Sequence, residues 1–317
     1  MPRVSVRVLL GLVILADWGA AARAGDAPVF TRKEDVVYGH KYGTALTMDV
    51  FAPKHDANGA AVIFTVSGGW FSSRQMISLT FCREFLKRGY TVFAVMHGSQ
   101  PKYTIPEIIE DMNRAVRFIR YHAADYGIDP NRIGITGGSA GGHLSLMMGA
   151  AGNDGDPKGR DAIDGVSSRV QAVACFFPPS DFMNYGEKGV EALGTGRLSG
   201  FKAPFDFEEL DPKTRSFVRI TDPEKRREFG RRISPVNHVT ASAAPTLIIH
   251  GDADQLVPIQ QAEVFIAKLK EVGVPCELIV KHGARHGWQL DRDMPSIADW
   301  FDKYLGKTAS KPASAGR

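Results

Sequence analysis

Cysteine is scarce in this chain, with three among 317 residues: Cys82, Cys175 and Cys276. All three sit in apolar surroundings, so a fold stapled by several disulfides is excluded. Buried free thiols are expected, with one disulfide beside one free thiol as the alternative. An excess of one charge is also lacking. Lys and Arg number 39 against 35 Asp and Glu, and no basic block stands clear of acidic neighbours, so nucleic-acid binding has no support. There is no internal repeat, and no apolar run approaches the roughly 20 residues needed to cross a bilayer.

One short apolar run, residues 8–16, has a context of its own. It follows Arg3 and Arg7, stops at Asp17 and precedes Ala22-Arg23-Ala24. A charged start, a short apolar stretch and a small-x-small site predict a secretory leader over 1–24, cleaved after Ala24. The mature protein is then expected to be secreted or periplasmic, without a membrane-bound part. Loss of Arg3, Arg7, Arg23 and Asp17 lowers the formal net charge from +4 to +2.

With 44% hydrophobic residues, the remainder can bury a substantial core. "DVVYGHKYGTALTMDVFAP" alternates on either side of "GHKYGT" and predicts an N-terminal antiparallel hairpin. Continuous apolar runs, "AAVIFTV" and "TVFAVM", predict strands buried on both faces, and "NRIGIT", "VQAVACFF", "PTLIIH" and "CELIV" predict further short strands. Helical spacing fills most of the intervals. It covers "RQMISLTFCREFLKRGY" up to Gly89, the stretch from Ile105 to Gly127, "GGHLSLMMGAA", "IQQAEVFIAKLKEVG" and "MPSIADWFDKYLG". This alternation predicts an α/β fold, a mostly parallel twisted sheet with helices on both faces, over 25–306. Residues 307–317 read as a frayed tail. Between 181 and 244 no buried strand occurs, which predicts an inserted helical cap; "TDPEKRREF" supplies a helix there, with Thr221 and Glu224 at capping-box spacing.

Ser139 lies in Gly137-Gly138-Ser139-Ala140-Gly141, between a strand and a helix. A strand-to-helix G-x-S-x-G turn pushes the hydroxyl out of the sheet and aims a helix N-terminus at it. A serine is a weak nucleophile until a base takes its proton, and that base needs an orienting acid. Asp252 and Asp254 directly follow "LIIH"; His282 and His286 directly follow "CELIV". Both pairs therefore fall on the carboxyl edge of the sheet, where open parallel sheets carry their sites.

These segments, together with "YGTALTMDVFAP", "VSGGWFSS", "GGSAGGH", "HGDADQLVP" and "HGARHGW", resemble the α/β-hydrolase superfamily. The similarity is to its esterase/lipase branch, with ferulic-acid esterase-like and acetyl-esterase-like proteins. The resemblance implies Ser139 as nucleophile, Asp254 as acid and His286 as base, with Asp252 shaping its loop. His282 and His286 do not read as a metal pair, since Gly283 lies between them and no third ligand is evident; neither metal nor cofactor is implied. The oxyanion hole would draw on the N–H groups of Ala140, Gly69 and Gly68, with Gly69 preferred over Gly68. Relatives carry His-Gly-Gly-Gly-Trp where this chain reads Val66-Ser67-Gly68-Gly69-Trp70, so the first two residues depart.

Trp70, Trp288 and His97 are candidates for the substrate pocket, each with core packing or hydrogen bonding as the competing role. His143 and Asp111 are expected to be structural, and Arg226, Arg227, Arg231 and Arg232 a solvated helix face. The activity implied is a serine ester hydrolase acting through an acyl-enzyme on small acyl, acetyl or feruloyl esters, free or on polysaccharide. Two alternatives are carried. A prolyl-oligopeptidase-like peptidase shares the triad order, but such enzymes bring a large N-terminal propeller for which 317 residues leave no room. A non-catalytic binding protein on this scaffold finds support only in the altered "VSGGW".

Overall fold

The computed structural model describes residues 29–159 and 161–306; the expected leader and tail lie outside them. An eight-stranded sheet runs through the middle, built from β1 (Phe30–Lys41), β2 (Thr44–Pro53), β3 (Ala61–Val66), β4 (Thr91–Met96), β5 (Ile133–Thr136), β6 (Ala172–Phe176), β9 (Thr246–Gly251) and β10 (Cys276–Lys281). Its order is β1-β2-β4-β3-β5-β6-β9-β10. The first two strands form the antiparallel hairpin, β2 meets β4 antiparallel, and all later pairings are parallel. The hairpin closes more tightly than its sequence predicts. Pairing continues to Lys41 and Thr44, and the turn is Tyr42-Gly43 alone, both at positive φ. That is the backbone a two-residue hairpin turn requires to match strand twist.

Every residue of β3, β4, β5, β6 and β9 is buried, which explains their unbroken apolar runs. Alternate side chains feed two cores. Ile63, Phe93 and Ile135 face α2 (Ile105–Tyr121), α3 (Ala140–Ala151) and α5 (Gln260–Glu271); Val62, Phe64 and Val92 face α1 (Leu79–Lys87) and α6 (Met294–Leu305). Both faces are thus covered by helices. Two helices are shorter than their apolar spacing predicts. Extended backbone at Ile77 and Ser78 separates a 3-10 turn at Arg74–Met76 from α1. The other, α2, opens on a Thr104–Glu107 capping box and stops at Tyr121, six residues before Gly127.

Residues 181–244 hold one α-helix, α4 (Pro223–Arg232), several 3-10 turns and an exposed two-stranded hairpin, β7 (Glu208–Leu210) with β8 (Phe217–Arg219). The segment is therefore not purely helical. The cap of α4 is Asp222, whose carboxylate accepts the Lys225 N–H, and not Thr221. Arg227 and Arg231 pair with Glu191 and Glu224 on the exposed face. All three cysteines are free thiols, with Cys82 and Cys175 buried and Cys276 half-buried. Among the described residues no helix is long and apolar enough to cross a membrane.

Candidate active site

The sheet's carboxyl edge gathers what the sequence spreads over more than two hundred residues. Ser139 follows β5 in a turn clamped to the end of β6: its N–H donates to the Phe176 carbonyl, and the Phe176 N–H donates to Gly137. The turn is tight enough to force Ser139 to φ 54°, ψ −120°. An L-residue held there costs on the order of 1–2 kcal/mol. The flanking glycines make it possible, because a Cβ on Gly137 would lie 2.7 Å from Gly141 backbone and one on Gly141 2.8 Å from the Thr65 carbonyl.

Ser139 Oγ lies 3.0 Å from His286 Nε2, and His286 Nδ1 lies 2.7 Å from Asp254 Oδ2. The Asp254 side chain is fully buried and receives only donors. Leu256 and Val257 N–H groups bond Oδ1 at 3.0 and 2.9 Å, and His250 Nε2 stands 3.5 Å from Oδ2. Burial pushes the carboxyl's pKa up, but the bonds from His250, His286 and Val257 outweigh it and hold the group well below the usual range. A carboxylate at Nδ1 fixes the tautomer with Nε2 unprotonated toward Ser139. Asp252 and His282 form a second, exposed pair at 2.8 Å, with Asp252 Oδ1 taking the Gly283 N–H in the turn. Among the described residues no group of three or more His, Cys, Asp or Glu could hold a metal ion.

The loop after β3 forms a two-residue turn of its own. Gly68 and Phe71 exchange both backbone hydrogen bonds at 2.9 Å, leaving Gly69 (φ 54°) and Trp70 (φ 60°) at its tip. Gly68 is therefore removed from the expected oxyanion donors, since its N–H already serves Phe71. The N–H groups of Gly69 and Ala140 have no acceptor among the described residues.

Trp70 corrects the expectation of a pocket wall. It is 2% exposed, packs against Phe182 and Phe205, and donates from Nε1 to His143 Nδ1 at 3.2 Å. His143 Nε2 in turn donates to the Ile233 carbonyl at 2.7 Å, tying helix α3, the Gly69 turn and residues 181–244 together. Tyr185 and Arg197 from that segment donate to the carbonyls of Leu256 and Gln255 in the loop that follows Asp254. Trp288 is held by Asp293 and packs on Phe177, whose ring lies 4.6 Å from that of His286. Phe177 was not singled out by sequence; only the doubled Phe in "FFPPS" marks it. His97 is 4% exposed and borders a cavity of about 300 Å³ with Ser72, Ser99 and Tyr103, which none of Ser139, Asp254 and His286 lines.

His143 carries a prediction about stability. Burial lowers its pKa to about 4 from an ordinary 6.5, so the unfolded chain binds its proton first as pH falls. The stability it contributes is complete above pH 6.5 and is lost progressively toward pH 4, by up to about 3 kcal/mol. The melting temperature is expected to fall over this window, and to fall less in His143→Gln. Parallel curves for the two proteins would rule this account out.

A mostly parallel sheet crossed by helices on both faces, with a G-x-S-x-G turn between strand and helix, is the architecture of the α/β-hydrolase class. The chain belongs to the BD-FAE family, whose family model matches residues 48–269. It is 32% identical over 242 residues to a probable carboxylic ester hydrolase, LipM, and 28% identical over 279 residues to esterase LipQ, both of Mycobacterium tuberculosis. Those alignments cover 75% and 86% of this chain, which spans only 52% and 61% of the length of these relatives. Among solved structures, a truncated carbohydrate esterase from gut microbiota superposes with a TM-score of 0.71 at 27% identity, over 88% of this chain and 98% of that one.

Proposed function

We propose that this protein is a serine carboxylic-ester hydrolase. Ser139 Oγ attacks the ester carbonyl carbon while His286 Nε2 takes its proton, and Asp254 holds the imidazole and stabilises the imidazolium. The N–H groups of Gly69 and Ala140 meet the oxyanion. His286 then returns the proton to the leaving alcohol, and water attacks the acyl-enzyme by the same route in reverse. The observation that carries this reading is the unbroken hydrogen-bonded line from a strained serine to a histidine to a carboxylate that receives only donors.

The relatives named as esterases support the reaction class, and the carbohydrate esterase supports esters carried on sugars as a substrate class; acetyl and feruloyl groups are the acyl groups that the sequence resemblance implies. Residues 181–244 act as a cap that sets specificity, because Phe201 from that segment lies against the Gly69 turn. The leader-like first 24 residues support export. Turnover of p-nitrophenyl acetate without cleavage of peptide p-nitroanilides is the expected result; cleavage of the anilides alone would establish the peptidase instead.

Gly69→Ala tests the oxyanion donor. The added Cβ would lie 2.4 Å from Phe201 Cε1 at a backbone φ that disfavours it, so the turn must shift and carry its N–H away. Loss of one such donor lowers kcat on the order of 10²–10³-fold. Steady-state kinetics on p-nitrophenyl acetate read it, and a variant with the parent's kcat would remove Gly69 from the role.

A further inference from the structure

The loop after β3 has one side chain for which the reaction above has no use. Ser67 carries the only hydroxyl in Val66-Ser67-Gly68-Gly69-Trp70. Ser67 Oγ lies 2.8 Å from His97 Nε2, and His97 Nδ1 lies 2.8 Å from the Gly98 carbonyl oxygen. A carbonyl only accepts, so Nδ1 carries the ring proton and Nε2 is left to accept from the Ser67 hydroxyl. Burial keeps the imidazole neutral, lowering its pKa to about 4.

The line continues inward. Gly98 N–H donates to Asp111 Oδ2 at 2.9 Å, and Asp111 Oδ1 pairs with Lys41 Nζ at 2.5 Å. Asp111 is 2% exposed, and Lys41 also donates to the Glu107 carbonyl. His97 is therefore held by groups that are themselves fixed, on hairpin β1–β2 and helix α2. The loop's other limb is held too: Ser72 Oγ donates to the Val66 carbonyl at 2.6 Å, and its N–H donates to Ser99 Oγ. Between these anchors stand Gly68, Gly69, Trp70 and Phe71.

Resting on the ester-hydrolase reading, we propose that Ser67 and His97 are a positioning pair for the oxyanion turn, holding the loop against the exit of β4 so that Gly69 N–H is aimed before the substrate arrives. Neither side chain touches the reacting atoms. Their contribution falls on kcat, because a donor preset in place strengthens with the developing charge, not with the bound ester.

The test compares Ser67→Ala, Ser67→Gly, His97→Leu, His97→Gln and the double variant Ser67→Ala/His97→Leu on p-nitrophenyl acetate. A p-nitrophenyl phosphonate counts the reactive sites in each preparation. Per titrated site, Ser67→Ala and His97→Leu are expected to lose about 10-fold in kcat with KM little changed. The double variant should lose no more than either single one, since the pair acts as a unit. His97→Gln, whose side-chain carbonyl can accept the same proton, should recover most of the rate. Ser67→Gly leaves the least steric disturbance and should match Ser67→Ala. Full kcat per titrated site in both Ser67 variants, or additive losses in the double variant, would overturn the positioning role. The underlying reading fails separately, if Ser139→Ala is phosphonylated like the parent.

Discussion

Replacing Ser139 with alanine is expected to lower kcat for p-nitrophenyl ester hydrolysis by at least 10³-fold, with the fold and substrate affinity retained. The hydroxyl makes one hydrogen bond, to His286 Nε2, and the cavity left by one oxygen is small. What disappears is the covalent route. Residual turnover would come from water attacking a carbonyl still held by the Gly69 and Ala140 N–H groups, and such sites keep some catalysis over water when the nucleophile is gone. The measurement pairs steady-state kinetics with phosphonate labelling, and both should collapse together. Undiminished turnover in the variant would exclude Ser139 as nucleophile. Equal inertness of parent and variant toward esters and peptides would favour a binding protein.

Asp254→Asn is expected to cost a comparable amount, about 10⁴-fold in kcat, although it changes one atom. Asp254 has two oxygens and meets donors on both: backbone N–H of Leu256 and Val257 on one, the His286 ring nitrogen Nδ1 on the other. Asparagine has one oxygen to offer. If that oxygen serves the backbone pair, its amide N–H faces His286 Nδ1, which must then become the acceptor. The ring proton moves to Nε2 and points at Ser139, where a base is required. The reversed amide would set its N–H against two backbone donors, which is worse. A kcat near that of the parent would mean that Asp254 does not set the tautomer of His286. The fold should survive, so the melting temperature should fall far less than the activity.

How much of this was legible in the sequence follows the range of the interactions. Ser139, Asp254 and His286 each stand a few residues after a strand of the parallel sheet, β5 and β9 fully buried and β10 the half-buried edge strand, so strand runs read one at a time place them on one edge. Their convergence needs no knowledge of side-chain contacts. Trp70, His143 and Ile233 are different. Their bonds join positions separated by 73 and 90 residues, and nothing local in "GGW" or "GGH" announces a partner in the segment read as an inserted helical cap. Ser67 and His97 were visible as a departure and as a buried histidine, but their union is a property of β3 lying beside β4. Local signals misled where two residues compete for one task, as when Asp222 caps α4 in place of Thr221.

The backbone at Ser139 sets two selective pressures against each other. At φ 54° a glycine would be more comfortable than a serine. The strain, on the order of 1–2 kcal/mol, exceeds the extra flexibility glycine would bring to the unfolded chain, about 0.5–1 kcal/mol. Drift under selection for stability alone would therefore favour exchanging the hydroxyl for a hydrogen at this position. On the ester-hydrolase reading, that strain is the cost of holding a hydroxyl where the reaction needs one.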